Sequence, residues 1–171
     1  MKKLFPFLLA ALMFSSCIDS NPITITISNT TTETVAVDIP QTNGTPHTTN
    51  ETVNQNLDDI IVNLDDVDSI NIDALSYQFK NVNGNSAAII QNATLAVNGV
   101  TIATHTNLNV SQEATNGTVF TISDEVVLNQ LETLILNNST VTVQYSSSTL
   151  SDAGPITFDV EVTVDLTATL K

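Results

Sequence analysis

Residues 156–171, with the sequence ITFDVEVTVDLTATLK, alternate apolar and polar side chains along their whole length. Successive side chains of a β-strand point to opposite faces of the sheet, so alternation of this kind is typical of a strand. One face of this strand is therefore predicted to be buried, and the other to be wet or to meet a polar neighbour. This is the clearest element of the chain, and it favours a mainly β fold.

Shorter alternating stretches precede this segment, and turn-forming residues separate several of them. Residues 41–52 contain Asn43-Gly44 and Pro46, so they are expected to form a polar loop. Residues 53–64 fit helical and strand spacing alike, and we expect a short helical or irregular segment that leads into a strand. The alternating stretches themselves predict strands over residues 23–27, 35–39, 69–79, 87–97, 100–106, 119–122 and 141–145.

Two local features refine the strand predictions. Asn98-Gly99 lies between two alternating stretches, and this dipeptide favours a type I′ hairpin turn, in which both central residues have positive φ. Between residues 70 and 79 the apolar positions change from even to odd numbers. A one-residue slip of this kind indicates a β-bulge.

One helix is predicted, over residues 124–137. Ser123 can cap its first amides, while Asp124 and Glu125 suit the positive end of the helix dipole. About eight strands with one short helix predict an antiparallel β-sandwich, immunoglobulin-like in character. The length of 171 residues suits a single domain, which we place at residues 23–171.

The first residues read as an export signal. Lys2 and Lys3 precede an apolar run over residues 4–14 that is too short to span a membrane. Ser15-Ser16 then leads to Cys17, the only cysteine of the chain. This pattern resembles the lipobox of bacterial lipoproteins, in which the cysteine becomes the lipidated first residue.

The resemblance implies a signal peptide over residues 1–16, a lipid anchor at Cys17 and a tether over residues 17–22. In enterobacterial lipoproteins an Asp directly after the cysteine signals retention in the inner membrane. Ile18 occupies that place here, so the resemblance implies a Bacteroidota-like lipoprotein of the outer membrane, with its periplasmic or surface orientation open. The alternative is an ordinary signal peptide, with Cys17 as an incidental thiol.

The charge balance excludes several classes of partner. The chain has 18 acidic residues against 4 basic ones, for a formal net charge of −14. Binding to nucleic acid requires clusters of Lys and Arg on the protein, so a nucleic-acid partner is not expected. Electrostatic attachment to anionic lipid is excluded for the same reason. Cations are the natural small partners of such a chain.

One acidic cluster suggests a calcium site. Asp58-Asp59 and Asp65-Asp66 lie close to Asp68 in the sequence, and calcium takes six to eight oxygen ligands. Asp66, Asp68 and Asn71 are the candidate ligands, whereas the alternative is a solvated acidic edge that prevents unwanted strand pairing. In addition, Asp68-Ser69-Ile70 resembles the O-glycosylation sequence of exported Bacteroidota proteins, which implies modification of Ser69.

The residues that could support catalysis are few. The chain has two histidines, His47 and His105, which are expected on the surface, and no pattern typical of a nucleophile or of a zinc or phosphate site is present. It has no Trp, and Tyr77 and Tyr145 fit core-facing positions. This shortage of aromatic residues counts against a sugar-stacking platform. The sequence therefore predicts a protein that is not an enzyme and needs no cofactor, with calcium as the one candidate ion.

The leading prediction is a non-catalytic envelope lipoprotein that acts as a binding or structural module, with envelope proteins or extracellular ligands as partners. If the strand over residues 156–171 lies at a sheet edge, it could pair with a partner by β-augmentation. One alternative is a secreted hydrolase that uses paired carboxylates. Another is a calcium-stabilised adhesion module.

Overall fold

The structure is a computed structural model, and it describes residues 26–41, 47–56, 67–138, 140–149 and 154–170. The predicted signal peptide, Cys17 and the tether lie outside the described residues, as does the acidic run up to Asp66. Eight strands and two short helices are described: β1 Thr26–Ile39, β2 Thr48–Asn56, β3 Val67–Gly84, β4 Ile90–Val97, β5 Val100–Leu108, α1 Val110–Asn116, β6 Val119–Ile122, α2 Glu125–Asn137, β7 Thr140–Thr149 and β8 Ile156–Leu170.

The strands form two four-stranded antiparallel sheets that pack together, which confirms the predicted β-sandwich. Sheet 1 has the order β1-β8-β3-β6, and sheet 2 has the order β2-β7-β4-β5. The antiparallel two-layer architecture is the one that immunoglobulin domains share with many other sandwiches, whereas the order of the strands is different from theirs. Here the first strand of the described chain pairs with the last one.

The strand predicted from the final segment, β8, lies in the middle of sheet 1. It pairs with β1 on one side and with β3 on the other. The prediction that it could offer a free edge to a partner is therefore wrong, because both of its edges are hydrogen-bonded within the sheet. The alternation is confirmed, since seven of its inward side chains belong to the buried core and Leu170 packs against it: Ile156, Phe158, Val160, Val162, Val164, Leu166 and Ala168.

The hairpin and the bulge are also confirmed. Asn98 and Gly99 have φ values of 47° and 79° and join β4 to β5. In β3 the register against β8 shifts between Ile72 and Ala74, which leaves Asp73 as the extra residue of the bulge. The Asp73 carboxylate accepts hydrogen bonds from Asn71 Nδ2 (2.7 Å) and Thr167 Oγ1 (2.6 Å).

The predicted helix is confirmed as α2, with one correction at its start. Asp124, rather than Ser123, is the cap, and its carboxylate accepts from the backbone N–H groups of Val126 and Val127. The helix buries Leu131 and Ile135 and contacts β3. The helix α1 was not predicted, and it is set by the Asn109 cap and by Gly117 in the left-handed conformation. Among the described helices, none is long and apolar enough to cross a membrane.

Residues 48–56 form the strand β2. The sequence instead predicted a polar loop over residues 41–52 and a short helical or irregular segment over residues 53–64, so both predictions are wrong within β2. β2 pairs with β7 along its whole length, from Thr48 opposite Ser148 to Asn56 opposite Thr140. Its inward positions include Thr49 and Glu51, so it lacks the apolar alternation that identifies a strand in sequence. Strand pairing with β7, and not local propensity, therefore decides its conformation.

Candidate functional site

The outer face of sheet 2 carries only hydroxyl, amide and methyl side chains in the part of the chain that is described. Strand alternation places polar residues of β2, β7 and β4 on this side, opposite the buried core. We call it the hydroxyl–amide face, and the strands β2, β7 and β4 contribute Thr48, Asn50, Thr52, Asn54, Asn92, Thr94, Ala96, Thr140, Thr142, Gln144, Ser146 and Ser148.

Three hollows follow one another along β7 on this face. The first, of about 250 Å³, lies between Thr48 and Asn92, and the second, of about 210 Å³, shares Asn50, Thr94 and Ser146 with it. The third is the largest, at about 560 Å³, and it shares Gln144 with the second. Because each hollow shares lining residues with the next, together they form one shallow, open depression, which we call the β7 groove.

Several side chains of the groove are held by hydrogen bonds. Thr142 Oγ1 donates to Asn54 Oδ1 (2.8 Å), which links β7 to β2 across the face. Asn98 extends the β4–β5 turn onto β7: its N–H donates to the Thr142 carbonyl (2.8 Å), and its Oδ1 accepts from the Thr142 N–H (2.7 Å). Hydrogen bonds therefore hold the side chains of Asn54, Asn98 and Thr142 in place at one end of the groove.

The end of α2 closes the largest hollow. Asn137 and Asn138 line it, and their Nδ2 atoms donate back to the helix carbonyls of Thr133 (2.7 Å) and Leu134 (2.8 Å). These bonds orient the two amides, with the Oδ1 atoms as acceptors. Glu51 lines the middle hollow, but it occupies a position of β2 that alternates with the outward ones.

The outer face of sheet 1 has the opposite character. Threonines of β1 and β8 form cross-strand hydroxyl contacts there, such as Thr32 Oγ1 to Thr163 Oγ1 (3.2 Å). Carboxylates stand among them, and Lys80 Nζ forms an ion pair with Glu161 Oε2 (2.6 Å). Among the described residues, this acidic face carries Asp38, Asp73, Asp159, Glu161 and Asp165 at outward strand positions, and Asp68 of β3 is exposed as well.

The predicted calcium ligands are only partly described. Asp68 and Asn71 are both exposed on β3, and the Asn71 amide is bonded to Asp73, while Asp66 lies outside the described residues. Within the described ranges, no group of three or more His, Cys, Asp and Glu side chains is placed to hold a metal ion. The calcium hypothesis stays a prediction.

The predicted modification sites also stay predictions. Ser69 is exposed and lies within β3, opposite Thr169 of β8. Cys17 lies outside the described residues.

A titratable pair that the sequence did not reveal lies between the sheets. His105 was expected on the surface, but it is partly buried, and its Nε2 lies 2.5 Å from the Tyr77 hydroxyl. Phe120 stacks on Tyr77 with ring centroids 4.9 Å apart. The sequence signal that could have identified His105 as an inward residue is strand alternation. Ala103 and His105 lie on one side of β5, whereas Thr104 and Thr106 are exposed on the other.

Burial controls the protonation of this pair. Desolvation lowers the pKa of His105, and the nearby Glu113 carboxylate opposes that shift in part. Desolvation, with a further contribution from Glu113, raises the pKa of Tyr77 to about 12. Both groups are therefore neutral at neutral pH and suit a structural hydrogen bond between the sheets.

No protein-family model matches the chain, and no curated protein and no solved structure matches it either.

Proposed function

We propose that this chain is a non-catalytic lipoprotein of the bacterial outer membrane, and that its β-sandwich acts as a binding module. The β7 groove is the observation that carries the proposal. It is an open depression that follows β7 and is lined mainly by hydroxyl and amide side chains, some of which are held in place by hydrogen bonds. Ligand sites are concave, and a small number of placed polar groups fixes the orientation of the ligand in them.

The chemistry of the groove supports recognition rather than catalysis. Hydroxyl and amide side chains donate and accept hydrogen bonds without changing their protonation state near neutral pH. General acid–base catalysis relies instead on groups that exchange a proton near the working pH. The outward side chains of the groove, such as Asn50, Thr94 and Ser146, are all of the first kind.

The topology also gives the groove an orientation with respect to an anchor at Cys17. Nine residue steps separate Cys17 from the start of β1 at Thr26, and an extended chain of that length spans about 30 Å. The start of β1, the end of β8 and the Asn98-Gly99 turn lie at the same end of the sandwich. The β7 groove would then run from the membrane side outward.

The anchor is tested by labelling cells with a clickable palmitate analogue and comparing the wild type with Cys17→Ser. We expect lipid label and outer-membrane fractionation for the wild type and neither for the variant. Membrane fractionation of Cys17→Ser equal to that of the wild type would contradict the proposal. Proteinase K digestion of intact cells then distinguishes a surface orientation, in which the protein is lost, from a periplasmic one.

The binding surface is tested by site-specific photo-crosslinking in the same cells. A photoreactive residue replaces Gln144 in the groove, and a matched control replaces Thr163 on the outer face of sheet 1. Adducts are expected from position 144 and not from position 163. Equal adducts from both positions, or none from either, would exclude the groove as the binding surface.

A further inference from the structure

We propose that the β7 groove binds an uncharged glycan, held in an extended conformation along β7. The inference rests on the proposed function, because it assumes that the groove is the binding surface. It is carried by three properties of the face: its electrostatic neutrality, its hydrogen-bonding groups and its shape.

The neutrality of the face stands out against the charge of the chain. The formal net charge is −14, yet among the described residues no outward strand position of sheet 2 bears an ionisable side chain, and Glu51 is the one acid that lines the groove. An anionic ligand would be repelled by the net charge, and a cationic one would gain more on the acidic face of sheet 1, with Asp159, Glu161 and Asp165. A neutral ligand is the one that the face favours over both.

The hydrogen-bonding groups match those of sugars. A Ser or Thr hydroxyl donates one hydrogen bond and accepts two, and an Asn or Gln amide does both at separate atoms. Sugar hydroxyls have the same double character, so partners can be found in many orientations. Ala96 is the one apolar side chain at the outward strand positions of the groove, so its apolar surface comes mostly from the methyl and methylene groups of polar residues and offers no large side chain for an apolar ligand to pack against.

A peptide fits the same surface poorly. An extended peptide binds a sheet by adding a strand to its edge, with pockets for alternate side chains. The floor of the groove is β7, which is paired with β2 on one side and β4 on the other, so its backbone is already engaged. A peptide would have only side-chain hydroxyls and amides to bind, and no apolar pockets for its own side chains.

The shape suits a chain rather than a single sugar. The three hollows follow β7 from Ser148 to Thr140, a distance of about 27 Å for eight strand steps. The side chain of Tyr145 is buried beneath the groove, so within the described ranges no aromatic ring is available there for stacking. Binding then rests on hydrogen bonds alone, which predicts weak single-site affinity and a need for many copies on a membrane surface.

The test uses the full lipidated chain, displayed on zwitterionic liposomes and titrated by biolayer interferometry. The neutral probes are maltodextrin, laminarin, mannan and xylan, and the charged probes are alginate and chitosan oligomers. We expect binding to at least one neutral probe, with an affinity that changes little between low and high salt, because the ligand carries no charge.

A matched pair of double variants tests the location. Gln144→Ala with Ser146→Ala removes groove side chains, and Thr32→Ala with Thr163→Ala removes hydroxyls from the outer face of sheet 1. The groove variant is expected to weaken glycan binding at least fivefold, and the control variant to leave it unchanged. Circular dichroism checks that both are folded.

The outcomes separate this inference from the proposed function. If no neutral glycan binds, or if both double variants bind it equally, the inference is wrong. Salt-sensitive binding of alginate or chitosan alone would overturn it too. If the crosslinks from position 144 persist in those cases and join to protein, the groove is a binding surface with a different partner. If they are absent as well, the proposed function fails together with the inference.

Discussion

The Tyr77 hydroxyl and Nε2 of His105 lie 2.5 Å apart, and this contact joins the two sheets of the sandwich. Tyr77 belongs to β3 in sheet 1, whereas His105 belongs to β5, the edge strand of sheet 2. Phe120 of the edge strand β6 stacks on the tyrosine ring, and α1 connects these two edges. The hydrogen-bonded pair therefore links the β5 edge of sheet 2 to the β3–β6 edge of sheet 1.

Tyr77→Phe is expected to lower the free energy of unfolding by about 1 kcal/mol, because it removes the hydrogen bond and leaves the ring packing in place. Urea denaturation measures the change. His105→Phe and the double variant complete a double-mutant cycle, and we expect a coupling energy of about 1 kcal/mol. Strict additivity of the two single variants would contradict a direct bond between them.

The unfolding free energy should depend on the protonation of His105. Burial lowers the pKa of His105 below its ordinary value of 6.5, so the unfolded chain binds the proton more tightly than the folded one. The stabilisation is present above pH 6.5 and is lost as the pH falls through the pKa of the folded state. His105→Gln stays neutral and can still hydrogen-bond to Tyr77.

Urea denaturation across about pH 5 to pH 8 tests this dependence. The difference in unfolding free energy between the wild type and His105→Gln should grow with rising pH and then become constant. The wild type and His105→Gln share His47 and all the acidic residues, so the difference between them isolates the contribution of position 105. A constant difference across the whole range would show that His105 does not contribute.

The chain should lose stability in alkali because its tyrosines are buried. The pKa of Tyr77 is raised from 10.0 to about 12, and burial also raises that of Tyr145. The unfolded chain releases these protons near pH 10, so stability is full below that pH and declines as the pH rises toward 12. With two tyrosines and no tryptophan, tyrosinate absorbance reports on both rings, and Tyr77→Phe leaves Tyr145 alone.

We expect tyrosinate absorbance to rise together with the loss of secondary structure by circular dichroism. If half of the absorbance change occurs near pH 10 while the sandwich stays folded, the hydroxyl of either Tyr77 or Tyr145 is exposed to water, which contradicts the prediction. Repeating the titration with Tyr77→Phe then identifies which one it is.

The elements that could be predicted from the sequence are those whose signal is local. The alternation that marks β8, the dipeptide Asn98-Gly99 and the apolar spacing of α2 each lie within one short stretch. The bulge at Asp73 belongs with them, because the change of face between Ile72 and Leu75 is visible in the sequence. In each case the local preference and the final fold agree.

The strand β2 and the β7 groove could not be predicted because they depend on pairing between distant segments. Gln144 of β7 lies opposite Thr52 on one side and Ala96 on the other. Nothing in any of the three stretches indicates that they are neighbours. Once the pairing is known, the uncharged face follows from alternation alone, so the missing information was strand order and not side-chain chemistry.

Gly154→Ala is predicted to destabilise the fold strongly. A Cβ atom at this buried position would lie 2.6 Å from the carbonyl carbon of Pro40 and closer still to its oxygen, so the backbone around Pro40 would have to move. Both residues lie where the connections at one end of the sandwich meet. We expect a loss of about 3 kcal/mol or more, measured by urea denaturation.

Gly99→Ala is the matched control for this clash. Gly99 has open space around it but a φ of +79°, so its alanine variant carries backbone strain without any steric contact. That strain costs about 1 kcal/mol. If Gly154→Ala lowers the free energy of unfolding no more than Gly99→Ala does, the predicted clash is contradicted. The backbone of residue 154 then lies farther from Pro40 than the structure places it.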